Sequence, residues 1–253
     1  SEEEMVALAS VCGRYDGTSL EFIPAVGRFK PEAIDLITRM SAAAQRTLNW
    51  NLIAPSTSPQ QLAIMDNNLG AYEYAQARGG RIIALTVPCA IESRLNFETG
   101  FVLDALNGWR EPMSLPVAEK LKLLSDPAAR AELNELAQGP SPMRGVAKWH
   151  NLTVGDVVSE ENQQYVGRTI GEIAEAQGRA TFDTLCDIVV ADELRTGLLQ
   201  PTRGNDDETW ELRVKVWRDE RTLLGGTDAG AHLDLLATFN ATSAMLGNAV
   251  RER

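Results

Sequence analysis

Histidine and cysteine are scarce in this sequence of 253 residues, which contains two histidines and three cysteines. Two histidines cannot supply a conventional multi-histidine zinc site. The cysteines, Cys12, Cys89 and Cys186, are far apart and include no CxxC pair, so neither a zinc ribbon nor a disulfide framework is indicated. We therefore expect a reducing, cytoplasmic setting.

Basic residues and long apolar runs are also few. The chain has 24 Lys and Arg against 35 Asp and Glu, so its net charge is -11. Affinity for nucleic acid and anionic lipid depends on basic patches, and the sequence has no Lys/Arg cluster, so we expect neither partner. The longest apolar stretches fall far short of the roughly 18–20 residues that a membrane span needs. The acidic start, Ser1-Glu2-Glu3-Glu4, also differs from the basic start of a signal peptide.

Aromatic residues make up 6% of the chain and hydrophobic residues 44%, so the predicted core is mainly aliphatic. Short apolar stretches predict strands near residues 20, 50, 84, 198 and 224, with amphipathic helices between them. This alternation predicts an α/β fold with a parallel sheet. Two architectures fit it, a partial (β/α)8 TIM-type barrel with about five parallel strands and an open sheet.

The alternation stops between about residues 90 and 165, where three short helices, a Gly/Pro loop and one strand are predicted. A stretch of this length is more typical of an insertion or lid than of a linker. The expected organisation is barrel β/α units at 1–89, a largely helical insertion at 90–165, and the last barrel units at 166–253.

Chemistry in parallel α/β folds occurs at the carboxyl ends of the strands. There, the Gly-rich stretch 225–232 follows an apolar strand and contains Asp228 and His232. An aspartate at a strand end can bind a metal or act as general base for water. Alternatively, Asp228 caps the next turn and His232 makes a local hydrogen bond.

Three further polar residues lie in predicted strands. Asn49 and Asn51 alternate with apolar residues, which places both amides on one face of their strand. They either contact a substrate or satisfy each other and the neighbouring backbone. Glu21 lies between two apolar residues. If buried there it needs a nearby cation or a proton, and at an edge it is solvated.

The segment 224–234, Leu-Gly-Gly-Thr-Asp-Ala-Gly-Ala-His-Leu-Asp, resembles the amidohydrolase superfamily, in particular its N-acyl-D-amino-acid deacylase (D-aminoacylase) branch. Residues 95–97 with 100–104 are similar to the inserted region of that branch. Residues 166–174 with 182–185 are similar to a helical pair of the same branch. Together these segments extend over most of the chain.

The resemblance implies a (β/α)8 barrel that holds one or two divalent metals, usually zinc, and hydrolyses an amide bond with a metal-bound water. Asp228 matches the family's aspartate at the end of the last strand, which binds metal and takes the proton from the attacking water. His232 follows in the same loop as a second catalytic candidate. Asn49, Asn51 and Glu21 are then candidates for binding the substrate, a small-molecule amide.

The sequence departs from the family at its histidines. The first-strand His-x-His motif is absent, and no histidine precedes residue 150. Asn49-Trp50-Asn51 occupies the strand where a ligand histidine is expected.

From these departures we expect this chain to be the later part of a longer hydrolase that cleaves the C–N amide bond of an N-acyl amino acid or related compound. Alone, it is expected to be inactive and to hold no zinc tightly. The alternative is a non-catalytic scaffold or binding domain derived from the barrel. Open sheet edges and an exposed apolar interior predict a homo-oligomer.

Overall fold

The structure is a computed structural model that describes residues 1–141, 143–225, 235–236, 240–249 and 251. The described residues form two compact units. The first contains 1–90, 204–225 and the described residues from 240 onward. The second contains 91–203 and residues 235–236.

The strands of the described residues are β1 (Leu20–Phe22), β2 (Thr47–Ile53), β3 (Arg81–Thr86), β4 (Arg94–Leu95), β5 (Thr153–Asp156), β6 (Gly197–Leu199) and β7 (Thr222–Leu224). The α-helices are α1 (Glu2–Cys12), α2 (Pro31–Ala44), α3 (Pro59–Leu69), α4 (Ala71–Gln76), α5 (Arg110–Ser114), α6 (Val117–Ser125), α7 (Pro127–Ala137), α8 (Ile170–Gln177), α9 (Thr181–Ala191), α10 (Asp207–Trp217) and α11 (Ala241–Ala244). A π-helical turn, Met245–Ala249, follows α11.

The first unit is built on a parallel sheet with the strand order β1-β2-β3-β7. Its register places Glu21 beside Asn49, and Asn49 beside Ile83. The prediction of an α/β fold with a parallel sheet is confirmed for this unit. The strands predicted near residues 20, 50, 84 and 224 all lie in this sheet.

Helices cover one face of this parallel sheet. The buried strand residues Leu48, Trp50, Ile82 and Ala84 form one core cluster with residues of α1, α2 and α4 and with Val216 of α10. The residues between them point to the opposite face, because side chains alternate along a strand. That second face carries Glu21, Asn49, Ile83 and Leu85.

Local sequence signals set the ends of several helices. Ser1 and Glu4 form a reciprocal capping box at the start of α1, as the acidic start predicts. Asp206 caps α10 and accepts from the backbone N–H of Thr209 at 2.8 Å. The sequence predicts one long helix over 58–78. It is divided in the structure, because Gly70 both ends α3 and begins α4, and glycine is a poor helix former.

The second unit contains an antiparallel sheet with the order β4-β6-β5. This corrects the prediction of five parallel strands. The strand near residue 198 is β6, which pairs antiparallel with both of its neighbours, so the parallel sheet has four strands. A run of three residues carries no information about its partner, which here is fixed by the packing of the second unit.

The second unit has its own core. Trp109 stacks on Trp149 with ring centroids 5.4 Å apart, and Phe182 of α9 packs against both rings. Residues of α8 and α9 belong to this core, together with residues 95–154. The compact unit therefore extends to residue 203, beyond the end of the predicted insertion at 165.

Two further helix predictions differ from the structure. The sequence predicts a helix over 97–106, but this stretch contains only a 3-10 turn, Leu103–Ala105, because the Asn96 side chain accepts from Thr99 and closes a turn before Gly100 at φ +67°. The sequence also predicts a helix over 235–251. Leu236 instead makes an antiparallel bridge with Ser93, whereas Ala241–Ala244 are helical. No helix among the described residues is long and apolar enough to cross a membrane.

Candidate functional site

The clearest polar contact at the strand ends joins two residues that the sequence singles out. The side-chain amide of Asn51 in β2 donates to the carboxylate of Glu21 in β1, with 2.6 Å between Nδ2 and Oε1. Glu21 is exposed and Asn51 is partly buried. The structure therefore places Glu21 in solvent contact, as the edge alternative predicts, with an amide donor as its partner.

Asn49 lies beside Glu21 in the register of β1 and β2, on the same face of the sheet. Asn51 follows on β2, where the pairing with β3 shifts between Trp50 and Ile53. The three predicted substrate-binding residues thus lie on two neighbouring strands, with Glu21 paired to Asn49 and Asn51 nearer the carboxyl end of β2. They combine one carboxylate with two amides.

Asn51 has one polar atom that the described residues leave unsatisfied. Its Oδ1 is buried and accepts no hydrogen bond from any described group. Because Nδ2 is held by Glu21, this oxygen is fixed as an acceptor. Buried polar atoms in folded proteins are nearly always paired, so an orphaned acceptor marks a functional or strained position.

Hydrogen bonds connect the end of β3 to β2 and to the residue that follows β7. Thr86, at the end of β3, is fully buried and donates through Oγ1 to the carbonyl of Ile53 at 3.2 Å. Gly225, directly after β7, donates its N–H to the carbonyl of Thr86 at 3.1 Å. The ends of β2, β3 and β7 therefore meet at one edge of the sheet.

The two catalytic candidates, Asp228 and His232, lie outside the described residues. The other histidine, His150, is exposed in a 3-10 turn of the second unit, Trp149–Asn151. The acidic run at 205–208 has a structural role, because Asp206 caps α10. The hydrogen bonds from Thr209 hold the pKa of Asp206 below its usual range.

The described residues do not fit a zinc centre. Among them, no group of three or more His, Cys, Asp or Glu side chains is arranged to hold a metal ion. The candidate polar groups on β1 and β2 are Glu21 and two amides, whereas zinc takes thiolate, imidazole and carboxylate ligands. The divalent metal implied by the family resemblance thus has no ligand set in this part of the chain.

Sequence reasoning missed two residues that shape this edge. Asn67 and Asn68 of α3 bind the loop after β1, and Asn68 does so while buried. The sequence signal is a pair of asparagines in the last turn of α3, because asparagine has low helix propensity. Such a pair indicates side chains used for hydrogen bonds to another segment.

Comparisons with known proteins gave one similar structure. No family model and no curated protein matches the chain. The solved structure is N-acyl-D-glutamate deacylase from Bordetella bronchiseptica, complexed with zinc and a phosphonate inhibitor that mimics the tetrahedral intermediate. Its sequence is 11% identical and the TM-score is 0.41. The matched region covers 89% of this chain and 35% of the deacylase chain. The chain thus spans about a third of the length of that deacylase, and a similarity of this size does not assign the fold.

Proposed function

We propose that this chain is part of an amidohydrolase-like hydrolase of the D-aminoacylase branch, and that its parallel sheet is a section of a (β/α)8 barrel. The strand order β1-β2-β3-β7 supports a barrel, because barrel strands follow one another in sequence. A doubly wound open sheet reverses its order at a switch point and has helices on both faces. Here residues of α1, α2 and α4, with Val216 of α10, pack in one core cluster on one face.

In this proposal the second unit is an insertion between two segments of the barrel. Its long segment, residues 91–203, lies in sequence between β3 and the β/α unit that contains β7. Long insertions after a barrel strand are compatible with the fold, since the loops at that end carry function while the barrel supplies the scaffold.

The proposed reaction is hydrolysis of the C–N amide bond of an N-acyl amino acid or related compound. The observation that carries it is the polar group Glu21, Asn49 and Asn51 on two neighbouring strands of a parallel sheet, with Asn51 nearest the carboxyl end of β2. Glu21 holds the Asn51 side chain in one orientation. Amide side chains both donate and accept hydrogen bonds, so Asn49 and Asn51 suit the polar atoms of an N-acyl amino acid. Asp228 is the proposed general base.

The experiment uses the protein encoded by the complete reading frame that contains this chain. Amine release is measured from a panel of N-acyl amino acids, with and without added zinc, for the wild type and Asn51→Leu. We expect hydrolysis of at least one N-acyl amino acid and a loss of about tenfold or more in kcat/KM in the variant. Absence of hydrolysis across the panel would overturn the proposal.

The second candidate is a non-catalytic scaffold or binding domain derived from the barrel. The lack of a metal-binding group among the described residues favours it. The two functions differ in one measurable property. A scaffold binds N-acyl amino acids without turnover, or does not bind them, whether or not zinc is present.

A further inference from the structure

A cavity of about 310 Å³ lies in the first unit at the carboxyl ends of β1 and β2, between loop 23–29 and α3. Small-molecule sites range from about 300 to 1,000 Å³, so this one is at the small end. Carboxyl ends of parallel strands are where ligands bind in α/β folds. The cavity is a separate feature from the second sheet face that carries Glu21 and Asn49, although Asn51 contributes to its lining.

The wall of this cavity is held in place by buried hydrogen bonds. Asn68 accepts from the N–H of Phe29 and donates to the carbonyl of Gly27, both at 2.9 Å. Asn67 donates to the carbonyl of Phe29 at 3.0 Å. Gly27 adopts φ +84°, which favours glycine. The loop is thus fixed from α3 before any ligand binds, and a preformed wall reduces the ordering cost of binding.

The lining is more apolar than polar, and none of its side chains carries a charge. The side chains of Phe29 and Trp50 meet edge to face with ring centroids 4.9 Å apart, and Met65 adds a thioether. The residues that the structure places around the cavity include three amide side chains, Asn51, Gln61 and Asn68, and none is titratable. Aromatic edges and thioether sulfur both favour contact with an aromatic ring.

We infer that this cavity binds a neutral small molecule with a single aromatic ring and an uncharged polar substituent. The ring contacts Phe29, Trp50 and Met65, while the substituent reaches Gln61, which is exposed and whose amide both donates and accepts. An ionised ligand is disfavoured, because burying a charge without an opposite charge or full hydrogen bonding is costly.

Three probes of equal size test the inference on the chain itself: benzamide, benzoate and the benzylammonium ion. The readout is the indole N–H resonance of Trp50 in NMR titrations, which reports from the wall of the cavity. We expect benzamide to bind at least about tenfold more tightly than either ion. Equal affinities for benzamide and benzoate would overturn the inference, as would no change in the Trp50 resonance up to the solubility limit of benzamide.

A pair of tryptophan variants localises the binding. Ala54 is an exposed residue of the lining, so Ala54→Trp is expected to weaken benzamide binding by about tenfold without unfolding the chain. Ala63→Trp is the matched control, since Ala63 is exposed on α3 and is not part of the lining. Thermal unfolding of both variants checks their fold. Equal weakening by both variants would contradict a site in this cavity.

Discussion

Asn51 donates a hydrogen bond to Glu21 across two neighbouring parallel strands, and the same amide has a buried oxygen without a donor among the described residues. The two facts are connected. Because the carboxylate can only accept, it holds the Asn51 NH₂ group and leaves Oδ1 facing away from it. The protein thus keeps an acceptor in a defined orientation at the end of a parallel sheet.

The first prediction separates a functional from a structural role for this amide. Asn51→Leu removes a hydrogen bond with a net contribution of about 0.5–1.5 kcal/mol, but it also removes a buried unsatisfied oxygen. We therefore expect the free energy of unfolding, measured with urea, to differ from the wild type by less than about 1 kcal/mol. The rate of hydrolysis by the complete protein should fall. Asn151→Leu, at an exposed position of the second unit, is the control and should change neither property. A large loss of stability in Asn51→Leu would assign the amide a structural role.

Much of the first unit could be predicted from its sequence. The predicted strand at 47–53 has the bounds of β2, because an apolar alternation is enclosed by polar residues and a proline loop. That Asn49 and Asn51 share one face also follows from the sequence, because side chains alternate between the two faces of a strand. The contact with Glu21 could not be predicted, since it depends on the pairing of two strands and on the register shift after Trp50.

The second unit was less predictable. The residues Gly197–Leu199 look like any short buried strand, and their antiparallel partners are distant in sequence. Asp192 was not singled out, although it is a buried hydrogen-bonding centre. It accepts from Ser159 and Thr196 and from the Asn162 amide. An isolated aspartate near a helix end gives no sequence signal of such a network.

The second prediction concerns this carboxylate. Burial opposes ionisation of Asp192, but hydrogen bonds from Ser159, Thr196 and Asn162 outweigh it, so the pKa of Asp192 lies below its usual range. Its contribution to stability is therefore present above the unfolded-state pKa of about 3.9 and is lost as pH falls through the lower folded-state pKa. Asp192→Asn should cost about 2–4 kcal/mol at neutral pH.

This prediction is checked by the pH dependence of the difference in unfolding free energy between the wild type and Asp192→Asn. Urea unfolding of the wild type and Asp192→Asn is compared from neutral pH to below pH 4, and the difference should shrink as the solution becomes acidic. The control is Asp104→Asn at an exposed position, which should change stability by less than about 0.5 kcal/mol. A difference that stays constant with pH would show that the charge of Asp192 does not carry the effect.

The third prediction concerns Gly197 in β6. Arg94 and Asp156 form a two-bond ion pair at 2.8 and 2.7 Å, and a Cβ at position 197 would collide with both side chains. Gly197→Ala should therefore destabilise the chain by displacing the pair. In a double-mutant cycle with Asp156→Ala, we expect a coupling of about 0.5–3 kcal/mol in urea unfolding. Gly145→Ala is the control, because a Cβ at that position has room. If the unfolding free-energy changes of Gly197→Ala and Asp156→Ala simply add in the double variant, this explanation is wrong.

The fourth prediction concerns assembly. Helix α1 exposes an apolar group, Met5, Leu8 and Val11, with Leu8 64% exposed. Exposed apolar groups and strand edges favour association, so we expect light scattering to detect a homodimer or larger oligomer at micromolar concentration. Leu8→Glu should shift the chain toward the monomer. The control Val166→Glu, at a similarly exposed valine, should not. A monomeric wild type would contradict the prediction.

The most direct measurement of the proposed function compares mirror-image substrates. The protein from the complete reading frame is incubated with zinc and with matched N-acetyl-D- and N-acetyl-L-amino acids, and the released amine is quantified for wild type, Asp228→Ala and Asn151→Leu. We predict release from the D substrates, loss of about a hundredfold or more in Asp228→Ala, and no change in Asn151→Leu. Equal release by wild type and Asp228→Ala, or no release from either enantiomer, would contradict an amidohydrolase-like function.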